Sequence, residues 1–563
     1  MDEGTLSRRN CKKKSLSHHS SQSEIFEQNQ THRTTVPTRI METTTTTEHS
    51  SLNKKILIVG GGPSGAATAK AMGDRGYKNI HLYEAYPHPK TLSKTSSKSY
   101  VIALNLRGQN GIRASTGIDL IAEASDPNNT IRGVVSYDMA RHNTNRKNNQ
   151  TSARCRNHKD TPSLIIPRKA LTERLLEAAE KSGVTVHYRH RLQDVDFDGK
   201  VATFTDSSGA IVKVDYDLLL GADGCNSRVR KSMSDNQTSL KDFSVRTEED
   251  SMEYQVVVLP RNPFETSHPN GTVHTWNNPE FNAICLGFPI QPTKDNKHQS
   301  LLLAMVFPEG NLESFGKAED GYRAPLQKLL PDLFDKNNNS NNTDAEENLR
   351  IVEEQLRANQ IANGGLCVWS SSLGQAVTDP ITGQTTSGVI ILGDAAHGMW
   401  PSLGQGANCA LESIEVFVNC LDDMLSSADT PTNKTVNNNS WIAGLIQAYN
   451  DARLDDARAA VDLTYGGIGA RKSRGRQNAP ITFKLQVAGM MVLHKLTLGV
   501  VPMPALLQVL LGSNNVSYQK LKKFNFCYEK YICLGALAIF TTLIAAWRNV
   551  LPVSFSGIAG PDL

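Results

Sequence analysis

The sequence predicts an α/β protein. A Rossmann-like dinucleotide-binding domain is split by an inserted mixed β-sheet domain, and a hydrophobic helix closes the C-terminus. Three observations predict this. An apolar strand, Ile56-Leu-Ile-Val59, runs into Gly60-Gly-Gly-Pro-Ser-Gly65 and then a small-residue helix from Ala66 to Met72. From about Met252 to Phe307 apolar and polar residues alternate, as in strands of a separate sheet. A later apolar strand, starting at Val389 and ending in Gly393-Asp394, returns the chain to the first unit.

The glycine turn carries the most information. Gly60 permits the turn, Gly62 lets the backbone approach a pyrophosphate, and Gly65 allows close helix–strand packing. Phosphate charge then sits at the helix N-terminus, where free N–H groups and the helix dipole favour an anion. Glu84 closes the next apolar run, Ile80-His-Leu-Tyr-Glu84. It stands about 20 residues beyond the turn, where a carboxylate accepts hydrogen bonds from a ribose hydroxyl. A turn serving packing alone would not need this acid at the end of a second strand.

Two further motifs follow. Asp217-Leu-Leu-Leu-Gly-Ala-Asp-Gly-Cys-Asn-Ser-Arg-Val-Arg230 is an apolar strand ending in Asp223-Gly224. Val389-Ile-Ile-Leu-Gly-Asp-Ala-Ala-His397 ends in Gly393-Asp394 and leads to Pro401-Ser-Leu-Gly-Gln-Gly406 and a helix, Ala407 to Leu421. Each acid alone could be an ordinary turn aspartate. In this order, over about residues 54–470, the three motifs resemble the flavin-dependent aromatic hydroxylases, single-component monooxygenases that use FAD and NADPH or NADH. The likeness is strongest to the kynurenine 3-monooxygenase branch. It is carried by Ser99-Tyr-Val-Ile-Ala-Leu-Asn-Leu-Arg-Gly108, by Pro167-Arg168 and the helix after it, and by Val273-His-Thr-Trp276. Zeaxanthin epoxidase and related plant or algal monooxygenases share the glycine loop, the aspartates and the Pro-x-Leu-Gly-Gln-Gly loop. An isoprenoid or a different aromatic substrate therefore stays open, as does a non-catalytic dinucleotide-binding membrane protein.

The resemblance implies the chemistry and the site. A nicotinamide nucleotide reduces FAD, O2 forms a flavin C4a-hydroperoxide, and an electron-rich aromatic substrate takes one oxygen atom. The flavin carries this step, so no catalytic side chain and no metal is expected. FAD would be held by Gly60, Gly62, Gly65, Glu84, Arg107, Arg168, Asp223, Gly393, Asp394, Gly404, Gln405 and Gly406. The amides opening the helix near Gln405 would stabilise negative charge developing on the flavin pyrimidine. His397, in a buried turn, reads as a structural hydrogen bonder rather than a base. Arg132 matches the family's carboxylate-binding arginine, Asn408 and Glu412 match residues near the substrate, and Tyr465 matches another. The family's tyrosine about a dozen residues before Arg168 is missing here; the region reads Ala153-Arg-Cys-Arg-Asn-His158.

The chain of 563 residues, net charge +4, is long enough for several compact units, and no basic cluster interleaved with aromatics points to nucleic acid. Nine cysteines lack CxxC or Cys/His ligand spacing, which suits a reduced, cytosol-facing protein. Residues 1–53 form a polar tail expected to be disordered. The FAD-binding domain takes 54–250 and 386–480, the substrate-domain sheet and helices 251–385, and a C-terminal helical region 481–563. Loops are expected at 143–161, 335–342 and 433–439. The uncharged run Tyr531 to Trp547, preceded by Lys520, Lys522, Lys523 and Lys530, predicts a membrane-lipid anchor at 531–547 with the catalytic body facing the cytosol. The resemblance points to the mitochondrial outer membrane; a tail of this kind also suits the endoplasmic reticulum.

Overall fold

The computed structural model describes residues 50–550, apart from 92–100, 124–129, 132, 139–162, 237, 241, 269–270, 291–296, 317–320, 335–341, 429–439, 468–480, 513–515 and 525–528. The expected tail before residue 50, most of the three expected loops, and Arg132 lie outside the described residues.

The central sheet has six strands, in the order Gly374–Thr378, Thr385–Ile391, Leu218–Gly221, Ile56–Val59, Ile80–Glu84 and Thr185–Tyr188. All neighbours are parallel except the first pair. A parallel sheet is covered on both faces, so its strands must be apolar throughout. Ile56, Leu57 and Ile58 are accordingly wholly buried. The first crossover helix is Pro63–Asp74, longer at both ends than the Ala66 to Met72 stretch read from small residues. Proline at the first helical position fits, because that N–H has no intrahelical partner.

The second sheet is mixed, with the order Ala362–Asn363, Met252–Leu259, Ser300–Pro308, Ala283–Ile290, Thr272–Asn278 and Gly133–Asp138. Its last strand comes from within the stretch read as the first FAD-binding segment, and it pairs parallel with Thr272–Asn278. Period-two alternation gives the sheet two unlike faces. Trp276, Cys285, Leu303, Met305 and Phe307 pack against Leu326, Leu333, Leu349 and Val352 of the helices at 323–358. The opposite face presents Tyr254, Ile284, Leu286, Phe288, Ala304 and Val306, all only partly buried. Tyr254 on this face lies within electrostatic reach of Arg168.

The helix after the 401–406 loop is Gly406–Ala428, and it packs on Leu106–Thr116. Gly111 makes the close crossing possible: a Cβ there would lie 2.6 Å from the Leu411 carbonyl.

The C-terminal region is helical at Ile481–Leu496, Ala505–Leu511, Tyr518–Lys523 and Glu529–Val550, with the bend at Pro502 and Pro504. The spanning anchor expected at 531–547 is not supported, because among the described residues no helix is long and apolar enough to cross a membrane. What the structure does contain there is an exposed row of Leu534, Leu537, Ile539, Phe540, Leu543 and Ile544.

Candidate functional site

The glycine turn is dictated by contacts behind it. Gly60 has φ +102°, and a Cβ there would overlap the Ala222 carbonyl; a Cβ on Gly65 would overlap the carbonyl of Gly60. Gly62 differs. It fronts open space, its nearest neighbour being Nη2 of Arg168 at 3.7 Å from a would-be Cβ. Glu84 is shared: Oε2 accepts the Gly61 N–H at 2.5 Å and Oε1 accepts the Tyr86 N–H at 2.8 Å. The acid therefore braces the glycine turn at the place where it would meet a ribose.

The two later aspartates flank this turn. Asp223 Oδ2 accepts the N–H groups of Arg228 at 2.7 Å and Val229 at 3.2 Å, while Oδ1 is buried with no hydrogen-bond partner. Gly224 beside it has φ +83° and open space in front. Asp394 follows Gly393, whose φ of +58° turns the strand end sharply and where a Cβ would overlap Ser64 Oγ. Burial pushes the carboxyls of both Asp223 and Asp394 above the usual carboxylate range, with Arg168 pulling the second back down. Gly406, which opens the long helix, has Asp394 Oδ1 at 4.0 Å from a would-be Cβ. Gly62, Arg168, Asp394 and Gly406 thus converge on one open cradle. An orphaned buried carboxylate oxygen and glycines facing empty space are what a dinucleotide with many hydroxyl donors would complete.

Behind the cradle lies a set of buried polar side chains. Gln405 donates from Nε2 to the Leu403 carbonyl at 3.0 Å, and its Oε1 accepts from Asn105 Nδ2 at 3.3 Å and from Tyr518 OH at 3.2 Å. Asn408 donates to the carbonyls of Ala103 and Gly404, each at 3.0 Å, and accepts the Asn105 N–H at 3.0 Å. Arg107 is not presented to the cradle as expected. Its 1 % exposed side chain donates to Glu412 Oε1 at 2.5 Å and to the Val516 carbonyl, and stacks 4.3 Å from the Tyr518 ring centre. Glu412 also pairs with Arg453 at 3.0 Å, and Arg453 with Asp456 at 2.8 Å. Asn408 and Glu412, read as substrate contacts, are therefore committed to partners within the chain. His397 bonds Ser413 Oγ at 2.9 Å through Nε2, and burial lowers its pKa to about 3, so it is neutral near pH 7 and too weak a base for proton abstraction there.

Tyr465 sits in a cluster that the sequence did not reveal. Trp369 and Trp400 each lie 5.0 Å from its ring centre, and Arg246 stacks 4.5 Å over Trp369. Trp400 directly precedes the 401–406 loop, which was the one available signal; Arg246 and Trp369 come together only through the pairing of Val245–Glu249 with Leu366–Ser370.

Comparison with known proteins points to the cofactor. The family model described as "FAD binding domain" matches residues 53–306. Curated relatives include kynurenine 3-monooxygenase of Caenorhabditis elegans, 23% identical over 423 residues, covering 71% of this chain and 78% of that one. The kynurenine 3-monooxygenase of Stenotrophomonas maltophilia is 27% identical over 351 residues, covering 62% and 68%. In sequence the chain is thus similar to FAD-dependent monooxygenases that act on aromatic compounds. The fold agrees: a tetrameric form of 2-methyl-3-hydroxypyridine-5-carboxylic acid oxygenase superposes with a TM-score of 0.51 over 81% of this chain and 96% of that one, at 17% identity. FAD is accordingly the cofactor of this chain, with a nicotinamide nucleotide as co-substrate. Among the described residues no cluster of His, Cys, Asp or Glu could hold a metal ion.

Proposed function

We propose that this protein inserts one atom of O2 into an aromatic amino acid resembling kynurenine, ortho to its amino group, at the expense of NADPH or NADH. The observation that carries the reading is the half-buried apolar sheet face from Tyr254 to Val306, whose Tyr254 lies within electrostatic reach of Arg168. Such a face suits a flat aromatic ring and keeps water from it. FAD, when bound, supplies the electron transfer and oxygen activation.

The chain's own residues bind and orient. The turn Gly60 to Gly65 and the N-terminus of Pro63–Asp74 take the pyrophosphate, with Glu84 at the ribose. Asp394 accepts from the ribityl hydroxyls, with Arg168 supplying positive charge beside it. Asp223, with its unpaired Oδ1, would accept a hydroxyl donor of the bound dinucleotide. The amides of Gln405 and Gly406 would offset negative charge on the flavin pyrimidine. Arg132 would pair with the substrate carboxylate, for which a guanidinium is suited and a lysine is not equivalent.

The deciding experiment is NADPH oxidation stimulated by L-kynurenine, in wild type and Arg132→Ala. Stimulation that collapses in the variant while flavin content holds supports the reading. No stimulation in wild type removes kynurenine, and a panel of aromatic acids and isoprenoids in the same assay then names the class. Turnover at full rate without oxygen would refute hydroxylation altogether.

The exposed apolar row from Leu534 to Ile544 supports attachment to a membrane, with the mitochondrial outer membrane or endoplasmic reticulum as the site. Removing residues 531–563 should shift the protein from the membrane to the soluble fraction; equal partitioning of both forms would refute attachment.

A further inference from the structure

Two short helices, Ala505–Leu511 and Tyr518–Lys523, lie against the back of the 401–406 loop. Their ties run in sequence order along the nucleotide fold. The Val509 carbonyl accepts from Asn105 Nδ2 at 3.4 Å, and the Val516 carbonyl accepts from Arg107. Tyr518 OH donates to Gln405 at 3.2 Å, the Gln519 N–H donates to Asp456 at 2.9 Å, and Lys522 pairs with Asp462 at 2.5 Å. Gly512, at φ +67°, passes so close to the Asn105 amide that any side chain there would overlap it. The ties close a ring, because Asp456 leads back through Arg453 and Glu412 to Arg107.

We propose that this C-terminal strap belongs to the flavin site, with Tyr518 as a positioning residue acting through Gln405. Gln405 is the residue before the long helix, and Gly404 beside it sits at φ +60°. With Nε2 held by Leu403 and Oε1 held by Asn105 and Tyr518, the Gln405 amide has one orientation, and the backbone N–H groups opening the helix have one direction. Without the Tyr518 hydroxyl, Oε1 keeps a single donor, the longer one from Asn105. The proposal rests on the reading that this loop faces the flavin.

The test compares full-length wild type with Tyr518→Phe, which keeps the ring under Arg107 and removes only the hydroxyl. Hydrogen–deuterium exchange of the peptide containing residues 405–408 is measured with and without FAD, together with the midpoint potential of bound flavin. Loss of one buried hydrogen bond should speed exchange about fivefold in the variant. Flavin stays bound, and its potential falls by roughly 20 mV, the two-electron equivalent of that factor. Lys522→Ala, which loosens the strap at its surface without touching Gln405, should leave the potential at the wild-type value. Unchanged exchange and potential in Tyr518→Phe overturn the proposal, even if its thermal midpoint drops. A Lys522→Ala shift as large as that of Tyr518→Phe also overturns it, since general loosening would then explain both. FAD that fails to protect residues 405–408 in wild type overturns the placement of the loop itself, a failure distinct from the other two.

Discussion

Gly61 and Glu84, which meet at the cradle, are 23 residues apart, whereas Arg107 and Glu412, which meet behind it, are 305 apart. The first side of the site is made from backbone. Its residue types are forced by sterics, since only glycine fits against the Ala222 carbonyl at Gly60 and against the Gly60 carbonyl at Gly65. The second side is made from charged side chains, each required only by the partner it finds. Arg107 at 1 % and Arg453 at 3 % exposure are compatible with this core because Glu412 lies between them. A geometric site fails when a side chain is added; an electrostatic one fails when a side chain is taken away.

That contrast can be broken first at Glu412. Glu412→Ala leaves two buried guanidinium groups without their shared carboxylate, and breaking such a pair costs about 3–5 kcal/mol. Urea denaturation should show the loss, and a cost under about 1 kcal/mol would mean the ring is not a stability element. The cradle should respond in the opposite manner. Asp394→Ala removes a charged acceptor for the flavin, worth about 1.5–3 kcal/mol of affinity, without destabilising the apoprotein, because burial already disfavours this carboxylate. Fluorescence titration of apoprotein with FAD, beside a melting curve, separates the two effects; a destabilised apoprotein with normal flavin affinity would erase the distinction.

Asp250 sharpens the contrast with a smaller effect. It lies between Val245–Glu249 and Met252–Leu259, and burial lifts its pKa to about 6 despite backbone donors from Met252 and Ser251. A carboxyl raised above its unfolded value costs nothing below about pH 4 and destabilises progressively as pH rises toward its folded pKa of about 6. Asp250→Asn should therefore melt at the wild-type temperature near pH ~3.5 and gain roughly 1–2 kcal/mol near pH ~8, discounted for its partial exposure. A variant less stable than wild type at the alkaline end would show that the carboxylate is held by something stronger than backbone N–H groups.

Much of the fold could be read in advance because burial on both faces leaves a parallel strand little choice: Ile56–Val59, Leu218–Gly221 and the stretch 389–391 could hardly have been anything else. The alternation from Met252 to Phe307 was legible for the complementary reason, one packed face and one half-open face. Gly133–Asp138 was not assigned to that sheet, since nothing local distinguishes a strand that pairs with Ile80 from one that pairs with Thr272. At the site, the glycines and both aspartates announced themselves through turns. Arg107 was placed on the flavin because an arginine in a flavoprotein motif has an obvious anion to bind, and its competing carboxylate lies 305 residues away. Tyr518 gave no signal at all, standing among lysines near a hydrophobic tail. The run at 531–547 was read from composition, which reports apolarity but not what covers it.

The tie between Arg107 and Val516 spans 409 residues, and that separation has a consequence for biosynthesis. At a translation rate of about 5–20 residues per second, a ribosome needs roughly 20–80 s to travel from one to the other. During that interval Thr185–Tyr188, Leu218–Gly221, Gly374–Thr378 and Thr385–Ile391 join the first two strands of the sheet, and the seal comes after all of them. The closing residues then emerge only shortly before the apolar helix that follows them. The nucleotide fold is thus closed from behind and late, and a chaperone that shields the unfinished side would have its longest task here.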